Sequence, residues 1–72
     1  MNITDPHDFG MALKKRRRTL GYTQEQLSDF TGFSTSFISE LENGKNTAEL
    51  GKALSLAMIL GLDIRISERG QG

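Results

Sequence analysis

The sequence predicts an all-α domain of four to five helices that is followed by one short β-strand. Two observations carry this prediction. Apolar residues recur every three or four positions between Phe9 and Leu60, and capping residues and glycines divide this stretch into separate helices. From Leu62 to Ile66 apolar and polar residues alternate instead, which is the period of a strand.

The length and the composition bound the domain organisation. A chain of 72 residues forms one domain, close to the lower size limit for folding without disulfides or a metal. It has no cysteine, which excludes disulfides and thiolate metal sites and fits a reducing compartment. We therefore predict a single domain over residues 1–72, with a helical core at 5–61, a strand at 62–68 and a tail at 69–72.

The composition also argues against several classes of protein. No apolar run reaches the roughly 18 residues that a membrane span needs, and the N-terminal segment MNITDPHDFG lacks the basic and apolar regions of a secretion signal. One histidine, no cysteine and no paired carboxylates around a plausible pocket argue against an enzyme. We expect a cytoplasmic protein with no catalytic residue, no cofactor, no metal and no membrane contact.

The distribution of charge is more informative than its sum. Formal net charge is zero, yet five of the nine basic residues are consecutive, at positions 14–18. Any attraction to a nucleic acid must therefore be local. Five consecutive residues surround a helix, so we expect one or two of Lys14, Lys15, Arg16 and Arg18 to meet a phosphate backbone, with Arg18 as the named candidate. A solvated basic face is the alternative.

The first two helices are bounded by recognisable signals. Asp5 can cap the first helix, with Pro6 at its first position and Gly21 after its end. The second helix is expected at 23–31, where Thr23 and Gln26 can form a capping box. Their predicted inward residues are Phe9, Leu13, Arg17 and Leu20 in the first helix and Leu27, Phe30 and Thr31 in the second.

The third and fourth helices follow in the same way. Ser34 can cap the third helix, which ends at Asn43-Gly44. The fourth is expected to start at Asn46 or Thr47, with Asn46 and Glu49 as a capping box, and to stop at Gly61. Its predicted apolar face contains Leu50, Ala53, Leu54, Ala57, Met58 and Leu60.

The predicted strand has no partner in an otherwise helical chain. Its apolar residues are Leu62, Ile64 and Ile66. Backbone groups of a strand must pair or stay in water beside an apolar stripe, and the simplest partner is the same strand of a second copy, antiparallel across a two-fold axis. Asp63 would then face Arg65 of the other copy. We therefore predict a homodimer.

A three-residue connection containing a glycine joins the second helix to the third, which is the punctuation of a helix-turn-helix. Such an arrangement points the start of the third helix into the DNA major groove. Ser34, Thr35 and Ser36 are mediocre helix formers, but their short hydroxyl side chains allow close approach to base edges. An ordinary cap with a solvated first turn is the alternative.

The segment YTQEQLSDFTGFSTSFISELENGKNT resembles the helix-turn-helix of the lambda repressor/Cro class, also called the xenobiotic response element family. Within that class, FISELENGKNTAEL followed by LDIRIS resembles the HipB-like antitoxins. The resemblance implies a lambda-repressor-like DNA-binding domain, a terminal strand that closes a dimer, and a HipA-like kinase toxin as a possible partner. The matching features are Thr23-Gln24-Glu25, Leu27, Gly32, Ser34, Ile38, Ser39, Leu41-Glu42 and Gly44.

The resemblance also implies roles for individual residues. The base-contacting positions are Thr35, Ser36 and Glu40, with Ser39 close by. Those that contact phosphate are Gln24, Ser34, Asn43 and Lys45. Arg17 and Glu42 match a buried ion pair, in agreement with the position of Arg17 on an apolar stripe, since a buried guanidinium needs a carboxylate. Glu40 would repel phosphate unless it accepts from cytosine or pairs with an arginine.

The predicted function is sequence-specific repression by a homodimer that binds double-stranded DNA at a near-palindromic operator, most simply that of its own toxin–antitoxin operon. One alternative is a protein-interaction subunit that neutralises a HipA-like kinase, with DNA binding secondary. Another is a plain phage-type repressor without a toxin partner. Because Thr35 and Ser36 discriminate bases weakly, specificity is expected to depend in part on DNA shape and on water-mediated contacts.

Overall fold

The structure is a computed structural model and describes residues 2–70. It confirms an all-helical domain, with four helices in the described part of the chain. In chain order these are α1 (Pro6–Thr19), α2 (Gln24–Thr31), α3 (Thr35–Glu42) and α4 (Leu50–Ile59).

The first three helices begin where their capping residues predict. Asp5 Oδ1 accepts a hydrogen bond from the backbone N–H of Asp8 at 2.8 Å. Thr23 and Gln26 form the reciprocal capping box of α2, with distances of 3.0 and 2.9 Å. Ser34 Oγ accepts from the backbone N–H of Phe37 at 3.0 Å. Each side chain satisfies a donor that the first helical turn leaves unpaired.

Two glycines determine how α1, α2 and α3 are arranged. Gly32 separates α2 from α3 with a φ of 82°, a left-handed conformation that glycine adopts without strain. Gly10 is buried in α1, and a Cβ placed there would lie 2.6 Å from the carbonyl oxygen of Glu42. The absence of a side chain at Gly10 therefore allows α1 to pack directly on the C-terminal end of α3.

The predicted start of α4 is wrong. The helix begins at Leu50, and its N-cap, Glu49, has an extended backbone and makes no side-chain capping bond. Residues 46 and 47 form a turn, and a bend at Ala48 follows, where Ala48 packs against the core. Glu49 forms an exposed ion pair with Lys52 at 3.1 Å. The chain passes from α3 to α4 through this turn, and a helix starting at residue 46 would not supply it.

The core is formed by one side of each helix. Its buried apolar residues are Leu13, Leu27, Ile38, Leu41, Ala53, Leu56, Ala57 and Leu60, with Phe9, Phe33, Phe37, Ala48 and Leu62 packed around them.

Several residues predicted to face the core lie in solvent instead. Leu50 and Met58 of α4 are 70% and 72% exposed, whereas Leu56, which was not predicted, is fully buried. The apolar residues of α4 occupy most of the helix circumference, so their spacing alone does not identify the side that packs against the core. Phe30 is 67% exposed and packs against the ring of Tyr22, with centroids 5.5 Å apart. Leu20 lies at the C-terminal cap of α1, past the core, and is 41% exposed.

The predicted strand at 62–68 has no hydrogen-bonded partner within residues 2–70. Leu62 packs against the core, whereas Ile64 is 47% and Ile66 is 98% exposed. Of the predicted tail, residues 69 and 70 form a turn, and residues 71 and 72 lie outside the described part. No helix among the described residues is long and apolar enough to cross a membrane.

Candidate nucleic-acid interface

The predicted base-contacting residues lie together on the outer side of α3. Thr35, Ser36, Ser39 and Glu40 line one shallow depression with Gln24 of α2. We call these five residues the α3 surface. Thr35 and Ser39 are four residues apart, as are Ser36 and Glu40, so the members of each pair lie one above the other on the same side of the helix. Thr35, Ser36 and Glu40 are exposed.

The first turn of α3 presents polar groups to solvent. Ser34 is its N-cap and is exposed, and Thr35 and Ser36 are its first two residues. The backbone N–H groups of these two residues have no acceptor within the helix, and the positive end of the helix dipole lies beside them. Together with the three hydroxyls, they form a cluster of donors suited to phosphate oxygens and base edges.

A buried ion pair holds this surface against the rest of the domain. Arg17 Nε and Nη2 donate to the two carboxylate oxygens of Glu42 at 2.7 and 2.9 Å. Arg17 is 7% and Glu42 4% exposed. Arg17 Nη1 also donates to the carbonyl oxygen of Tyr22 at 2.8 Å, so one guanidinium links α1, the start of α2 and the end of α3.

The ion pair shifts the pKa of both groups in favour of their charged forms. Burial alone would raise the pKa of the Glu42 carboxyl, but hydrogen bonds from Arg17 and Gln24, with the positive charges of Arg17 and Lys14, hold it below its usual range. The hydrogen bond to Glu42 raises the pKa of Arg17 against the opposing effect of burial. Both groups are therefore charged at neutral pH.

Gln24 connects the ion pair to the α3 surface. Its Nε2 donates to Glu42 Oε1 at 3.1 Å, and its side chain lies beside Thr35 in the depression. One of its two amide N–H bonds is used in this way, and the second remains for a ligand such as a phosphate oxygen. Its predicted phosphate contact stays a prediction, but the structure gives Gln24 a supporting role as well.

Two further residues predicted to contact phosphate, Asn43 and Lys45, lie where α3 ends. Lys45 Nζ forms an ion pair with Glu40 Oε2 at 2.7 Å, and Asn43 Nδ2 lies 3.5 Å from Ser39 Oγ. The ion pair was not predicted, because its members are five residues apart and span the end of the helix. The possible partner that the sequence suggested for Glu40 was an arginine, and the structure supplies Lys45 instead.

Arg18 does not lie on the α3 surface. With Lys14 and Lys15 it lines a separate depression on the outer side of α1. The neighbouring Arg16 donates from Nε to the carbonyl oxygen of Leu60 at 2.8 Å, which caps the end of α4. Arg16 thus has a structural contact that sequence reasoning missed, and phosphate contact remains a prediction for Arg18.

One group of potential metal ligands lies near the start of α1. Ligand atoms of Asp5, His7 and Asp8 lie within 4.8 Å of one another. Asp5 caps α1, and Asp8 Oδ2 accepts from the backbone N–H and hydroxyl of Thr4 at 3.3 and 2.9 Å. These carboxylates therefore have structural partners, and we assign them no metal.

Comparison with known proteins now identifies the family. The model of a helix-turn-helix family matches residues 13–66. The chain belongs to this family. An HTH-type transcriptional regulator of Sinorhizobium fredii, y4mF, is 35% identical over 69 residues, which are 96% of this chain and 91% of that protein.

Two further relatives are matched over a part of their length. The SPbeta prophage-derived HTH-type transcriptional regulator YonR of Bacillus subtilis is 37% identical over 75% of this chain and 50% of that protein. The competence pilus inhibition repressor of Acinetobacter baylyi is 51% identical over 51% of this chain and 34% of that protein. This chain thus spans half or less of the length of these two relatives.

Solved structures of HipB share the fold. HipB in its complex with an O4 20-mer has a TM-score of 0.84 and 25% identity, over 96% of this chain and 97% of that chain. HipB in a complex with HipA, O2 and O3 gives the same values. The resemblance to the lambda repressor/Cro class is therefore confirmed: the protein is a helix-turn-helix transcriptional regulator with a HipB-like fold, and such regulators are not enzymes.

Proposed function

We propose that this protein is a sequence-specific DNA-binding repressor that controls its own operon as a homodimer. The observation that carries the proposal is the α3 surface, where exposed hydroxyls and unpaired backbone N–H groups lie at the start of the second helix of the motif. The buried pair of Arg17 and Glu42 holds that surface in place. In this family geometry, the start of this helix enters the major groove, where such groups contact base edges and phosphates.

The homodimer is supported by the C-terminal segment. Ile66 is 98% and Ile64 47% exposed, on a stretch of alternating apolar residues. An antiparallel pairing of this segment with the same segment of a second copy would satisfy its backbone groups and cover its apolar side. Two α3 surfaces would then lie roughly 34–36 Å apart, which requires a near-palindromic operator.

An antitoxin role is supported by the HipB-like fold, which extends over 96% of the chain. HipB forms a complex with HipA, and we propose a HipA-like kinase toxin as the partner of this protein. The likeness to a prophage-derived regulator supports the second candidate, a plain repressor without a toxin. A third candidate, in which kinase neutralisation is primary and DNA binding secondary, has the same support from HipB.

The repressor proposal is tested with a reporter gene under control of the region upstream of this gene. Wild-type protein should reduce reporter expression, and Ser36→Glu should abolish the reduction. An acidic residue at the second position of α3 favours the helix dipole, so the variant should fold, but its carboxylate repels DNA phosphate. Gln26→Glu is the matched control, since it adds the same charge to the first turn of α2, where glutamate also serves a capping box.

Repression by the wild type and Gln26→Glu, but not by Ser36→Glu, supports the proposal. Equal expression with and without wild-type protein contradicts it. The antitoxin role is tested separately, by co-purification with the product of a neighbouring kinase-like gene. A stable complex supports that role, and its absence, with repression intact, favours the plain repressor.

A further inference from the structure

We propose that Glu40 and Lys45 act as one unit that reads a cytosine base, in which Lys45 offsets the charge that would otherwise exclude Glu40 from DNA. This inference rests on the proposed DNA binding and assigns the specificity of the α3 surface. It differs from the simpler assignment in which Lys45 contacts a phosphate independently and Glu40 is a solvated side chain.

The end of α3 fixes the two residues relative to each other. The backbone N–H of Lys45 donates to the carbonyl oxygen of Glu40 at 3.0 Å, and that of Gly44 donates to Leu41 at 3.1 Å. These two bonds form a Schellman motif, closed by Gly44 with a φ of 85°. The motif turns the chain back over the last turn of the helix and brings the two residues within reach of each other, and their side chains meet at 2.7 Å.

The charges of the site require such a unit. Of the eight α3-surface and phosphate-contact candidates outside α1, Glu40 and Lys45 are the two charged residues. An unpaired carboxylate on the α3 surface would face a duplex that carries one negative charge per roughly 1.7 Å of its axis. The ammonium group lies 2.7 Å from the carboxylate, so it offsets this repulsion, and the pair adds no net charge to the surface. The eight candidates are Gln24, Ser34, Thr35, Ser36, Ser39, Glu40, Asn43 and Lys45.

The chemistry of the carboxylate specifies the base. An ionised carboxylate accepts hydrogen bonds and donates none. In the major groove, cytosine presents only the N4 amino donor, adenine presents an N6 amino donor beside an N7 acceptor, and guanine presents two acceptors at N7 and O6. Glu40 beside a cytosine therefore gains a hydrogen bond, and beside a guanine it meets a second acceptor. The hydroxyls of Thr35 and Ser36 discriminate less, because each can donate or accept.

Variants of the pair are expected to fold, which makes the proposal testable. Glu40 and Lys45 side chains are 49% and 47% exposed, and ion pairs this accessible contribute little to stability. The pair of Glu49 and Lys52 at the start of α4 is a matched control, because it is also exposed and lies outside the α3 surface. Thermal unfolding of each variant checks the assumption directly.

The experiment selects binding sites from a randomised DNA library with wild-type protein and three variants. We expect a cytosine at one position of each half-site for the wild type. Glu40→Gln should lose that preference and keep the others. The exchange Glu40→Lys with Lys45→Glu should replace cytosine by guanine, because lysine donates to guanine O6 and N7. Glu49→Gln with Lys52→Met should leave the selected site unchanged.

Affinity for the selected site measures the coupling within the pair. Lys45→Met should weaken binding roughly tenfold more in the presence of Glu40 than in the Glu40→Gln background. If the wild type selects a site but Glu40→Gln and the exchange leave every position unchanged, or Lys45→Met weakens both backgrounds equally, the inference is wrong and the repressor proposal stands. If the wild type selects no site, both are wrong.

Discussion

Glu42 is buried at the end of α3, where its carboxylate accepts hydrogen bonds from Arg17 of α1 and Gln24 of α2. It connects α1 to the α3 surface, since Gln24, which donates to its carboxylate, is part of that surface. Its position also explains a basic residue within the apolar stripe of α1: Arg17 is 7% exposed, and a buried guanidinium needs a carboxylate partner.

Removal of one member of this pair should be far more harmful than removal of both. Arg17→Met leaves the Glu42 charge buried without its main partner and should cost about 3–5 kcal/mol of unfolding free energy. Arg17→Met with Glu42→Leu should recover most of this loss, because no charge remains buried. Urea unfolding measures both. Lys52→Met, which breaks the exposed pair with Glu49, should cost less than about 1 kcal/mol.

Equal losses in Arg17→Met and Lys52→Met would contradict the structural role of the buried pair. A double variant less stable than Arg17→Met alone would show that shape and hydrogen bonding, rather than unpaired charge, dominate at this position.

The lowered pKa of Glu42 predicts a loss of stability in acid. The unfolded chain binds the proton with the ordinary glutamate pKa of about 4.3, above that of the folded state. The unfolded state therefore holds more protons between the two values, and unfolding free energy falls as pH drops through the folded-state pKa. Urea unfolding from pH 7 to pH 3 should show this decline, and the Arg17→Met/Glu42→Leu variant should show less of it. Parallel curves for the two proteins would contradict the assignment.

At the scale of helices, features that depend on nearby residues were predicted better than features that depend on distant contacts. The starts of α1, α2 and α3 were predicted because each depends on a capping side chain within three residues. The start of α4 was not, because Glu49 has an extended backbone and Ala48 packs against the core. On the buried side of α4, Ala53, Ala57 and Leu60 were predicted and Leu56 was missed. The residues of the α3 surface were named from the resemblance to the family, and their DNA contacts stay a prediction. The pair of Glu40 and Lys45 crosses a helix end and required the structure.

The packing of α1 on α3 provides a test at this scale. Gly10→Ala should destabilise the domain by about 1–3 kcal/mol or more, since the added Cβ would meet the carbonyl groups of Leu41 and Glu42. Gly51→Ala is the matched control in α4, where a Cβ would meet no atom within 4 Å. It should leave stability unchanged or raise it by up to about 1 kcal/mol.

Thermal or urea unfolding distinguishes the two alanine variants. Similar stabilities would show that α1 can move away from α3 without cost, in conflict with the close approach at Gly10.

At the scale of the whole molecule, the C-terminal segment after Leu62 is exposed along its described length. Leu62 is anchored to the core, but Ile66 is almost fully exposed. The alternation of apolar residues predicted a strand here, and the pairing that we propose for it involves a second copy of the chain. In the proposed dimer, the spacing of the two α3 surfaces, and with it the operator symmetry, would follow from that pairing.

Ile64→Pro should disrupt the proposed dimer. Proline removes a backbone donor from the strand and fixes φ, so it weakens the pairing across the two-fold axis. Sedimentation should show a monomer. Operator binding should weaken, because two unlinked chains no longer bind the two half-sites as one unit. Arg69→Pro, just beyond the predicted strand, should remain a dimer. An Ile64→Pro protein that stays dimeric with full operator affinity would show that the dimer forms through another surface.

The measurement that tests sequence-specific DNA binding most directly is fluorescence anisotropy of the purified protein with DNA from upstream of its own gene. Scrambled DNA of the same length and composition is the control, and both are titrated at two salt concentrations. We expect the upstream DNA to bind tighter by roughly tens-fold or more, with two chains per site and an affinity that falls steeply with salt. Equal and weak binding to both DNAs would contradict sequence-specific repression and direct attention to a protein partner.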